Sequence, residues 1–353
     1  MLPSSLNALR IGVVSVVPNL RAEIVRILPS LESQLTDLLQ QDGESETCKK
    51  ILEGNEDEAS LGRIASSLIK DSNILVGDMD LIGPIMHHLD GVRWVQSTFA
   101  GVDAVVASIK EQNHPKFTLT RFAGTFGQHM AEYVIGHIVA QERNFKRIYQ
   151  SQALSFWDAE VHVAPYRLLN ELSISILGLG DIGRCVAKIC KAFGMTVHGV
   201  VSKEIRDSER LSCVDKYYFS LDHLPEILKH SDYVCNTLPK TAQTDNIMSN
   251  GVLKHCQNRK SVLVNIGRGN ILTEDDIVCA FENGWIGGAI LDVFQNEPLP
   301  ATSKLWNLPN VIITPHCSGL SFAPDVAKVF LKNLNLFQKG RPMNNVVDWQ
   351  KGY

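Results

Sequence analysis

A glycine-rich turn between a buried strand and an amphipathic helix constrains the fold of this chain more than any other feature. The segment SISIL, residues 173–177, predicts the strand, and GLGDIG, residues 178–183, forms the turn. Apolar residues then recur at helical spacing until Gly194, and TVHGVV, residues 196–201, predicts a second strand. A strand, a helix and a strand in this order predict two parallel strands joined by a crossover helix.

The rest of the chain shows the same alternation. Short β-branched runs, most of them separated by helical patterns, predict further strands at residues 11–17, 73–76, 92–96, 233–236, 262–265, 288–291 and 311–313. This alternation predicts an α/β fold in which parallel sheets carry helices on both faces. A length of 353 residues suggests about two domains. A further helix is predicted at residues 324–339.

Composition argues against several classes of protein. A net charge of −4, without a basic run, is not typical of a nucleic-acid binder. No apolar stretch approaches the roughly 20 residues that span a bilayer, and the first residues lack the apolar segment of a signal peptide. The eight cysteines include no CxxC pair, which indicates reduced thiols in a cytoplasmic protein. His87 and His88 have no Cys or acidic residue at ligand spacing, so we expect no metal site.

A long helix is predicted at residues 129–149, ahead of the glycine-rich turn. Its apolar residues lie on two adjoining faces, Met130, Val134 and Ile138 on one and Ala131, Ile135 and Val139 on the other. So wide an apolar surface indicates either a core helix or a helix that packs against a second subunit, and the sequence leaves both open. The polar, acidic segment 41–59 is expected to be a surface loop or an exposed helix.

Each glycine of the turn has a physical reason in a nucleotide-binding site. Gly178 permits a tight turn, Gly180 lets a pyrophosphate approach the backbone, and Gly183 lets the helix pack closely on the sheet. The helix N-terminus presents N–H groups and the positive end of the helix dipole to the phosphates. A glycine-rich turn alone is a weak signal. Here the strand before it and the helix and strand after it supply the context that a dinucleotide site requires.

The end of the second strand bears on the choice between NAD(H) and NADP(H). An NAD site usually carries an acid there, which binds the ribose 2′-hydroxyl, whereas this chain has Val201. The hydroxyl of Ser202 and the cations of Lys203 and Arg206 suit a 2′-phosphate instead. We therefore favour NADP(H), while the nearby acid Glu204 keeps NAD(H) as an alternative.

Polar residues follow three later strands. Arg268 lies in NIGRGN, Asp292 and Glu297 lie in DVFQNEPLP, and His316 lies in TPHCSG. Because the carboxyl ends of parallel strands form the ligand crevice of an open α/β sheet, these side chains are expected to converge. Taken singly, each is more typical of a surface or capping residue. Their order behind a nucleotide-binding turn favours a catalytic set.

These motifs, in this order, resemble the D-isomer-specific 2-hydroxyacid dehydrogenases. The segments VRWVQSTFAGVDAV, MAEYVIGHIVAQ and TLPKTAQTDNIMSNGVLKH also resemble the substrate-carboxylate loop, the interdomain helix and the cofactor-side loop of that family. The similarity covers nearly the whole chain beyond its first 70 residues. The segment RWVQSTFAGVD and the short spacing between Glu297 and His316 are most similar to the glyoxylate/hydroxypyruvate reductase A branch. That branch favours NADPH.

The resemblance implies a role for each residue of the set. Arg268 is expected to bind the carboxylate and carbonyl of a 2-oxo acid and to stabilise the charge that grows on the carbonyl oxygen. His316 donates a proton to that oxygen during reduction, while Glu297 holds the imidazole and favours its protonated form. Asp292 is expected near the nicotinamide carboxamide. The substrate carboxylate is expected to bind the backbone N–H groups of one loop, at Phe99, Ala100 and Gly101.

The resemblance also implies cofactor contacts beyond the glycines and the phosphate-binding residues already described. These further contacts are Asp181, Ile182, Leu238, Pro239, Ile266, Gly267 and Gly319. The chain departs from the closest branch at Phe99, a position that is often Trp there and that borders the substrate side chain.

The expected architecture is two doubly wound parallel-sheet domains with a cleft between them. Residues 1–121 and 321–353 would form a flavodoxin-like substrate domain, and residues 122–320 a Rossmann cofactor domain. The expected reaction is hydride transfer from NADPH to a small 2-oxo acid, such as glyoxylate or hydroxypyruvate, giving a D-2-hydroxy acid. The family also implies a homodimer that forms through the helix from Met130 to Val139. An NAD-dependent dehydrogenase of another substrate class and a nucleotide-sensing scaffold similar to the corepressors with this fold remain as alternatives.

Overall fold

The computed structural model describes residues 9–39, 50–52, 54, 56–69, 71–102, 105, 109, 114–162 and 165–349. The chain divides into two units, one formed by Met1–Thr125 with Ser321–Tyr353 and the other by Phe126–Leu320. The sequence placed these boundaries after residues 121 and 320. Assignment of one unit to the substrate and the other to the cofactor stays a prediction. The segment predicted as a loop or exposed helix, residues 41–59, lies mostly outside the described residues.

Strands and helices alternate through both units. The strands are β1 (Ile11–Val14), β2 (Leu35–Asp37), β3 (Ile74–Gly77), β4 (Trp94–Ser97), β5 (Thr118–Thr120), β6 (Ser173–Leu177), β7 (Thr196–Val200), β8 (Lys216–Tyr218), β9 (Tyr233–Asn236), β10 (Val262–Asn265), β11 (Gly288–Leu291) and β12 (Val311–Ile313). The α-helices are α1 (Leu20–Ile27), α2 (Glu58–Ile69), α3 (Met79–Ile82), α4 (Phe126–Glu142), α5 (Phe145–Ala153), α6 (Asp181–Ala192), α7 (Leu224–His230), α8 (Glu274–Glu282) and α9 (Ala323–Gln338). The bounds predicted for β6 and for β9 to β12 are confirmed.

The first unit contains a parallel sheet in the order β2-β1-β3-β4-β5. This is the strand order of flavodoxin-like folds. The sequence did not predict β2 and β5, which have three residues each. Strand β1 was predicted to run to residue 17 but ends at Val14. The chain leaves the sheet there because the Ser15 hydroxyl and the Val16 N–H donate to the carboxylate of Asp78.

The C-terminal helix α9 belongs to the core of the first unit. The Trp94 ring is fully buried and stacks on Phe330 and Phe337 of α9, with centroid distances of 5.3 and 5.4 Å. The buried Asn333 of the same helix donates to the side-chain oxygen of Gln96 on β4, at 3.0 Å. The end of the chain therefore returns to the unit in which the chain begins, with the second unit inserted between.

The second unit contains a parallel sheet in the order β12-β11-β10-β9-β6-β7-β8. The order reverses at β6, which pairs with β7 on one side and β9 on the other. This is the doubly wound order of a Rossmann fold with one added strand, β12, and its crevice lies at the carboxyl ends of the strands around the reversal. The register aligns the last residues of adjacent strands, so that Asn236 pairs with both Leu177 and Asn265. The loops that follow these strands therefore start at one edge of the sheet.

The prediction of one long helix over residues 129–149 is wrong. The structure has two helices, α4 and α5, because Asn144 adopts a left-handed conformation with φ of 52° at the junction. The apolar face of α4 packs mainly on α6 of the same unit and buries Met130, Val134 and Ile138. Of the two alternatives left open by the sequence, the core helix accounts for this surface without a second subunit.

Within the described residues, no helix has both the length and the apolar character needed to cross a bilayer. No three or more His, Cys, Asp or Glu side chains of the described residues are grouped so that they could hold a metal ion. The cysteines that the structure describes are all free, and Cys190, Cys235 and Cys256 are buried. Burial raises the pKa of Cys256 to about 11, so this thiol stays protonated at neutral pH.

Candidate active site

The glycine-rich turn joins β6 to α6 in the geometry that the sequence predicted. Gly178 has φ of +95°, and a Cβ added to Gly183 would lie 2.0 Å from the carbonyl oxygen of Gly178. A Cβ added to Gly180 would instead meet no described heavy atom within 4 Å beyond its chain neighbours. Space is therefore open beside Gly180 at the α6 N-terminus, where the pyrophosphate of a dinucleotide is expected. Asp181 is exposed and Ile182 is half-buried beside this space.

The residues expected to hold a 2′-phosphate lie on an exposed turn after β7. The strand ends at Val200, and the Val201 N–H donates to the Tyr218 carbonyl of β8. Ser202, Lys203 and Arg206 are all exposed. The Arg206 guanidinium donates to the Glu209 carboxylate at 2.6 Å, a contact that the sequence did not predict. An exposed pair of this kind is weak because water screens it, so a phosphate can compete for the guanidinium.

Two buried asparagines fix the loops at the ends of β9 and β10, and the sequence did not single them out. The Asn236 side-chain amide donates to Oδ1 of Asn265 at 2.8 Å, and Oδ1 of Asn236 accepts the Leu238 N–H at 3.1 Å. The Asn265 amide donates to the Arg268 carbonyl at 3.1 Å. These bonds link the loop of Leu238 and Pro239 to the loop of Arg268.

Close packing on both sides holds the Arg268 loop in place. A Cβ on Gly267 would lie 2.7 Å from the Asn236 amide nitrogen, and a Cβ on Gly269 would lie 2.0 Å from the Phe294 carbonyl carbon. Ile266 is 2% exposed, and its expected contact with a cofactor stays a prediction. Only glycine on either side of Arg268 allows the loop to approach these neighbours.

Glu297 and His316 form a hydrogen-bonded pair. The distance from Nδ1 of His316 to Oε2 of Glu297 is 2.8 Å, and Oε1 of Glu297 accepts the Phe294 N–H, also at 2.8 Å. The hydrogen bond and the charge of Glu297 raise the pKa of His316, although burial and the nearby charge of Arg268 oppose the rise. Burial alone would raise the pKa of Glu297, but the hydrogen bonds from His316 and Phe294 hold that pKa below its ordinary value.

The backbone of His316 is held in a rarely populated conformation. Its φ is +50°, and its N–H donates to the Asp292 carbonyl at 2.9 Å. The fully buried Asp292 carboxylate accepts the Thr314 hydroxyl and the N–H groups of Cys317 and Ser318. Asp292 therefore organises the loop around His316. Its expected contact with the nicotinamide carboxamide stays a prediction.

Gly319 lies against helix α4. A Cβ at this position would lie 3.0 Å from both Met130 and Phe126. The glycine lets the chain after His316 pass close to α4. Its contact with a cofactor stays a prediction.

The expected substrate loop lies at the end of β4 in the first unit. The Phe99 N–H donates to the Ser97 hydroxyl at 3.0 Å, and the Phe99 carbonyl accepts the Phe122 N–H. Because this N–H already has an acceptor, the prediction that the loop binds a carboxylate rests on the N–H groups of Ala100 and Gly101. Both of these residues are partly buried.

The structure thus brings Arg268, Glu297 and His316 together within the second unit. The charge of Arg268 acts on the pKa values of both Glu297 and His316. The arrangement provides a cation, an imidazole and a carboxylate that raises the pKa of the imidazole. Such a set can transfer a proton to an oxygen and stabilise negative charge on it.

Comparison with known proteins finds relatives over most of the chain. The family model for the NAD binding domain of D-isomer specific 2-hydroxyacid dehydrogenases matches residues 135–318. Glyoxylate/hydroxypyruvate reductase A of Escherichia fergusonii is 31% identical over 258 residues, which cover 72% of this chain and 80% of the relative.

Two solved structures extend the similarity over almost the whole chain. A D-isomer specific 2-hydroxyacid dehydrogenase family protein from Aeromonas salmonicida has a TM-score of 0.78 and 31% identity, covering 97% of this chain and 99% of that one. A D-isomer specific 2-hydroxyacid dehydrogenase from Xanthobacter autotrophicus, in complex with NADPH and MES, has a TM-score of 0.75 and 25% identity, covering 98% and 99%. This chain therefore belongs to the D-isomer specific 2-hydroxyacid dehydrogenase family of NAD(P)-dependent oxidoreductases.

Proposed function

We propose that this chain reduces a small 2-oxo acid, such as glyoxylate or hydroxypyruvate, with NADPH, and that a chiral product has the D configuration. The observation that carries the proposal is the bond of 2.8 Å between His316 and Glu297 beside the charge of Arg268. The name of the relative from Escherichia fergusonii supports glyoxylate and hydroxypyruvate as the first substrates to test.

The chain's residues have separate tasks in this reduction. The bound nicotinamide supplies the hydride to the carbonyl carbon. His316, kept protonated by Glu297, donates its proton to the carbonyl oxygen as negative charge grows there. Arg268 offers a planar set of N–H donors and a permanent charge to the same oxygen and to the carboxylate. In the reverse direction the neutral His316 accepts the proton from the hydroxyl group.

We propose NADP(H) as the preferred cofactor. The absence of an acid at Val201, with Ser202, Lys203 and Arg206 exposed beside it, supports a 2′-phosphate site. The complex of the relative from Xanthobacter autotrophicus with NADPH supports the same choice. A higher kcat/KM with NADH than with NADPH would overturn it.

We also propose a homodimer. The apolar face of α4 is covered within the chain, so a second copy must be recruited by other residues. Large apolar side chains are exposed at the end of α5, where Leu154 is 78% and Trp157 is 79% exposed. A second copy that covers this region would remove apolar surface from water. Light scattering that finds a monomer at working concentration contradicts this proposal.

The experiment that tests the function compares kcat/KM for glyoxylate, hydroxypyruvate, pyruvate and phenylpyruvate with each cofactor. Turnover of a small 2-oxo acid is expected with NADPH, and His316→Ala should lower it by roughly 10²–10⁴-fold, the usual contribution of a general acid. Because His316 lies away from the glycine-rich turn, the variant should still bind NADPH. Turnover near that of the wild type in His316→Ala, or no turnover by the wild type, contradicts the proposal.

A further inference from the structure

A chain of hydroxyl groups runs from helix α4 to the loop of His316. The Tyr133 hydroxyl lies 2.6 Å from Oγ1 of Thr314, and Oγ1 of Thr314 donates to Oδ1 of Asp292, also at 2.6 Å. The single hydroxyl proton of Thr314 is used by Asp292. Tyr133 is therefore the donor to Thr314.

Asp292, the last acceptor in this series of hydrogen bonds, holds the backbone on both sides of His316. Besides the Thr314 hydroxyl, the Asp292 carboxylate accepts the Cys317 N–H and the Ser318 N–H, each at 2.9 Å. The His316 N–H donates to the Asp292 backbone carbonyl. The segment from Thr314 to Ser318 is thus fixed on either side of a residue whose φ is +50°. A left-handed conformation of a non-glycine residue persists only where its surroundings hold it in place.

Tyr133 is itself well placed to act as a rigid donor. Tyr133 lies in the middle of α4, where its ring centroid is 4.3 Å from that of His137. Its neighbour Val134 is fully buried. Burial raises the pKa of the Tyr133 phenol, and the charge of Asp292 raises it further, although the bond with Thr314 lowers it. The phenol therefore keeps its proton at neutral pH. None of the roles implied by the family resemblance involves Tyr133.

We propose that Tyr133 is a positioning residue for the catalytic imidazole, acting on His316 through the hydroxyl of Thr314 and the carboxylate of Asp292. The Tyr133 hydroxyl bonds to Thr314 and not to the His316 imidazole. Its effect on His316 therefore passes through the loop that holds this residue. The proposal rests on the proposed function in that His316 is taken as the proton donor. It adds a residue on a different helix to the group that holds the donor in place.

The test removes one hydroxyl at a time. Tyr133→Phe and Thr314→Val should each lower kcat about five-fold or more, a loss of the size expected for one hydrogen bond. Thr314→Ser, which keeps the hydroxyl, should restore most of the rate lost in Thr314→Val. The double variant should lose little more than either single variant, because both changes break the same chain. The affinity for NADPH should stay unchanged in all of them.

A second readout separates positioning from general stability. The imidazole NMR signals of His316 should shift in Tyr133→Phe, and the pH at which they titrate should move, because its distance to Glu297 changes. Tyr149→Phe is the matched control, since Tyr149 is 61% exposed on α5 and should alter neither kcat nor these signals. Wild-type kcat and unshifted His316 signals in Tyr133→Phe would overturn the proposal. If the wild type reduced no 2-oxo acid, the proposed function would fail, and the NMR titration would still decide whether Tyr133 positions His316.

Discussion

The carboxylate of Glu297 joins the Phe294 N–H to Nδ1 of His316, with both distances at 2.8 Å. One oxygen is anchored to the backbone of its own loop, so the other is held at a fixed position toward the imidazole. With Nδ1 engaged in this way, Nε2 is the nitrogen that can exchange a proton with a substrate. The same contact raises the pKa of His316 and lowers that of Glu297, which favours the ionised pair.

Replacement of Glu297 by Gln should move the pH dependence of reduction to lower pH. Reduction requires protonated His316, so kcat falls as the pH rises through the pKa of this residue. Glu297 raises that pKa, and the neutral amide of Gln does not, so the decline should begin at lower pH in the variant. The measurement is kcat against pH for glyoxylate and hydroxypyruvate, together with the NMR titration of His316.

Glu160→Gln is a matched control for this experiment, because the Glu160 carboxylate is 80% exposed and pairs with Arg147 on the surface. Its profile should coincide with that of the wild type. A Glu297→Gln profile that lies at the same pH as the wild type, or at higher pH, would show that Glu297 does not set the protonation of His316.

Two of the three glycines of the β6–α6 turn, Gly180 and Gly183, should respond differently to substitution by alanine. In Gly183→Ala the added Cβ would lie 2.0 Å from the Gly178 carbonyl oxygen, so the helix must move and the fold should lose stability. In Gly180→Ala the Cβ enters open space, and φ of −71° suits alanine, so the fold should keep its stability. That space is where the pyrophosphate is expected, so Gly180→Ala should still lose at least about tenfold in NADPH affinity.

Thermal unfolding without cofactor and fluorescence titration with NADPH separate the two effects. Gly136→Ala serves as a control, because a Cβ at Gly136 also meets no described heavy atom within 4 Å beyond its own helix, and that residue lies on α4 away from the turn. Unchanged NADPH affinity in Gly180→Ala would place the pyrophosphate elsewhere.

Local pattern predicted the strands of the second unit except β8 (Lys216–Tyr218), together with the polar residues that follow β10, β11 and β12. Arg268, Glu297 and His316 each lie directly after a strand or in its loop, so strand order alone brings them to one edge. The break between α4 and α5 was missed because no glycine or proline marks it. Asn144 adopts its left-handed conformation at the end of the polar run 141–144.

Tyr133 could not be found from the sequence for a different reason. Its partner Thr314 is far away in the chain, and their contact exists only once α4 packs beside the end of β12. The same holds for Asn236 and Asn265, whose bond joins the ends of neighbouring strands. Side chains that position a catalytic residue are recognised by their tertiary contacts, because they do not recur at a fixed spacing in the sequence as the residues of a motif do.

The first unit contains a buried carboxylate, and the titration of this group should make the stability of the fold depend on pH. Asp78 is 3% exposed at the end of β3 and accepts the hydroxyls of Ser15 and Thr98 and the Val16 N–H. Burial raises its pKa above the ordinary value, and these hydrogen bonds only partly offset the rise. The folded state therefore binds a proton more tightly than the unfolded state.

The sign of the effect follows from that difference. The contribution of Asp78 to the free energy of unfolding is fully present below its unfolded pKa, and it is lost as the pH rises through the higher folded pKa. Asp78→Asn removes this titration. The free energy of unfolding of the wild type minus that of Asp78→Asn should therefore decrease with rising pH and become constant above the folded pKa. Urea unfolding at a series of pH values from mildly acidic to neutral measures this difference.

Other carboxylates whose pKa is lowered in the folded state, such as Glu297, produce the opposite slope in the wild type. Subtraction of the variant cancels these contributions, because they are common to both proteins. Asp71→Asn is the control, since the Asp71 side chain is 77% exposed and pairs only with Arg10 at the surface in the described contacts. Its difference from the wild type should change little with pH. The free energy of unfolding of the wild type minus that of Asp78→Asn could instead grow with rising pH. That result would mean that the fold stabilises the Asp78 anion, and it would contradict the prediction.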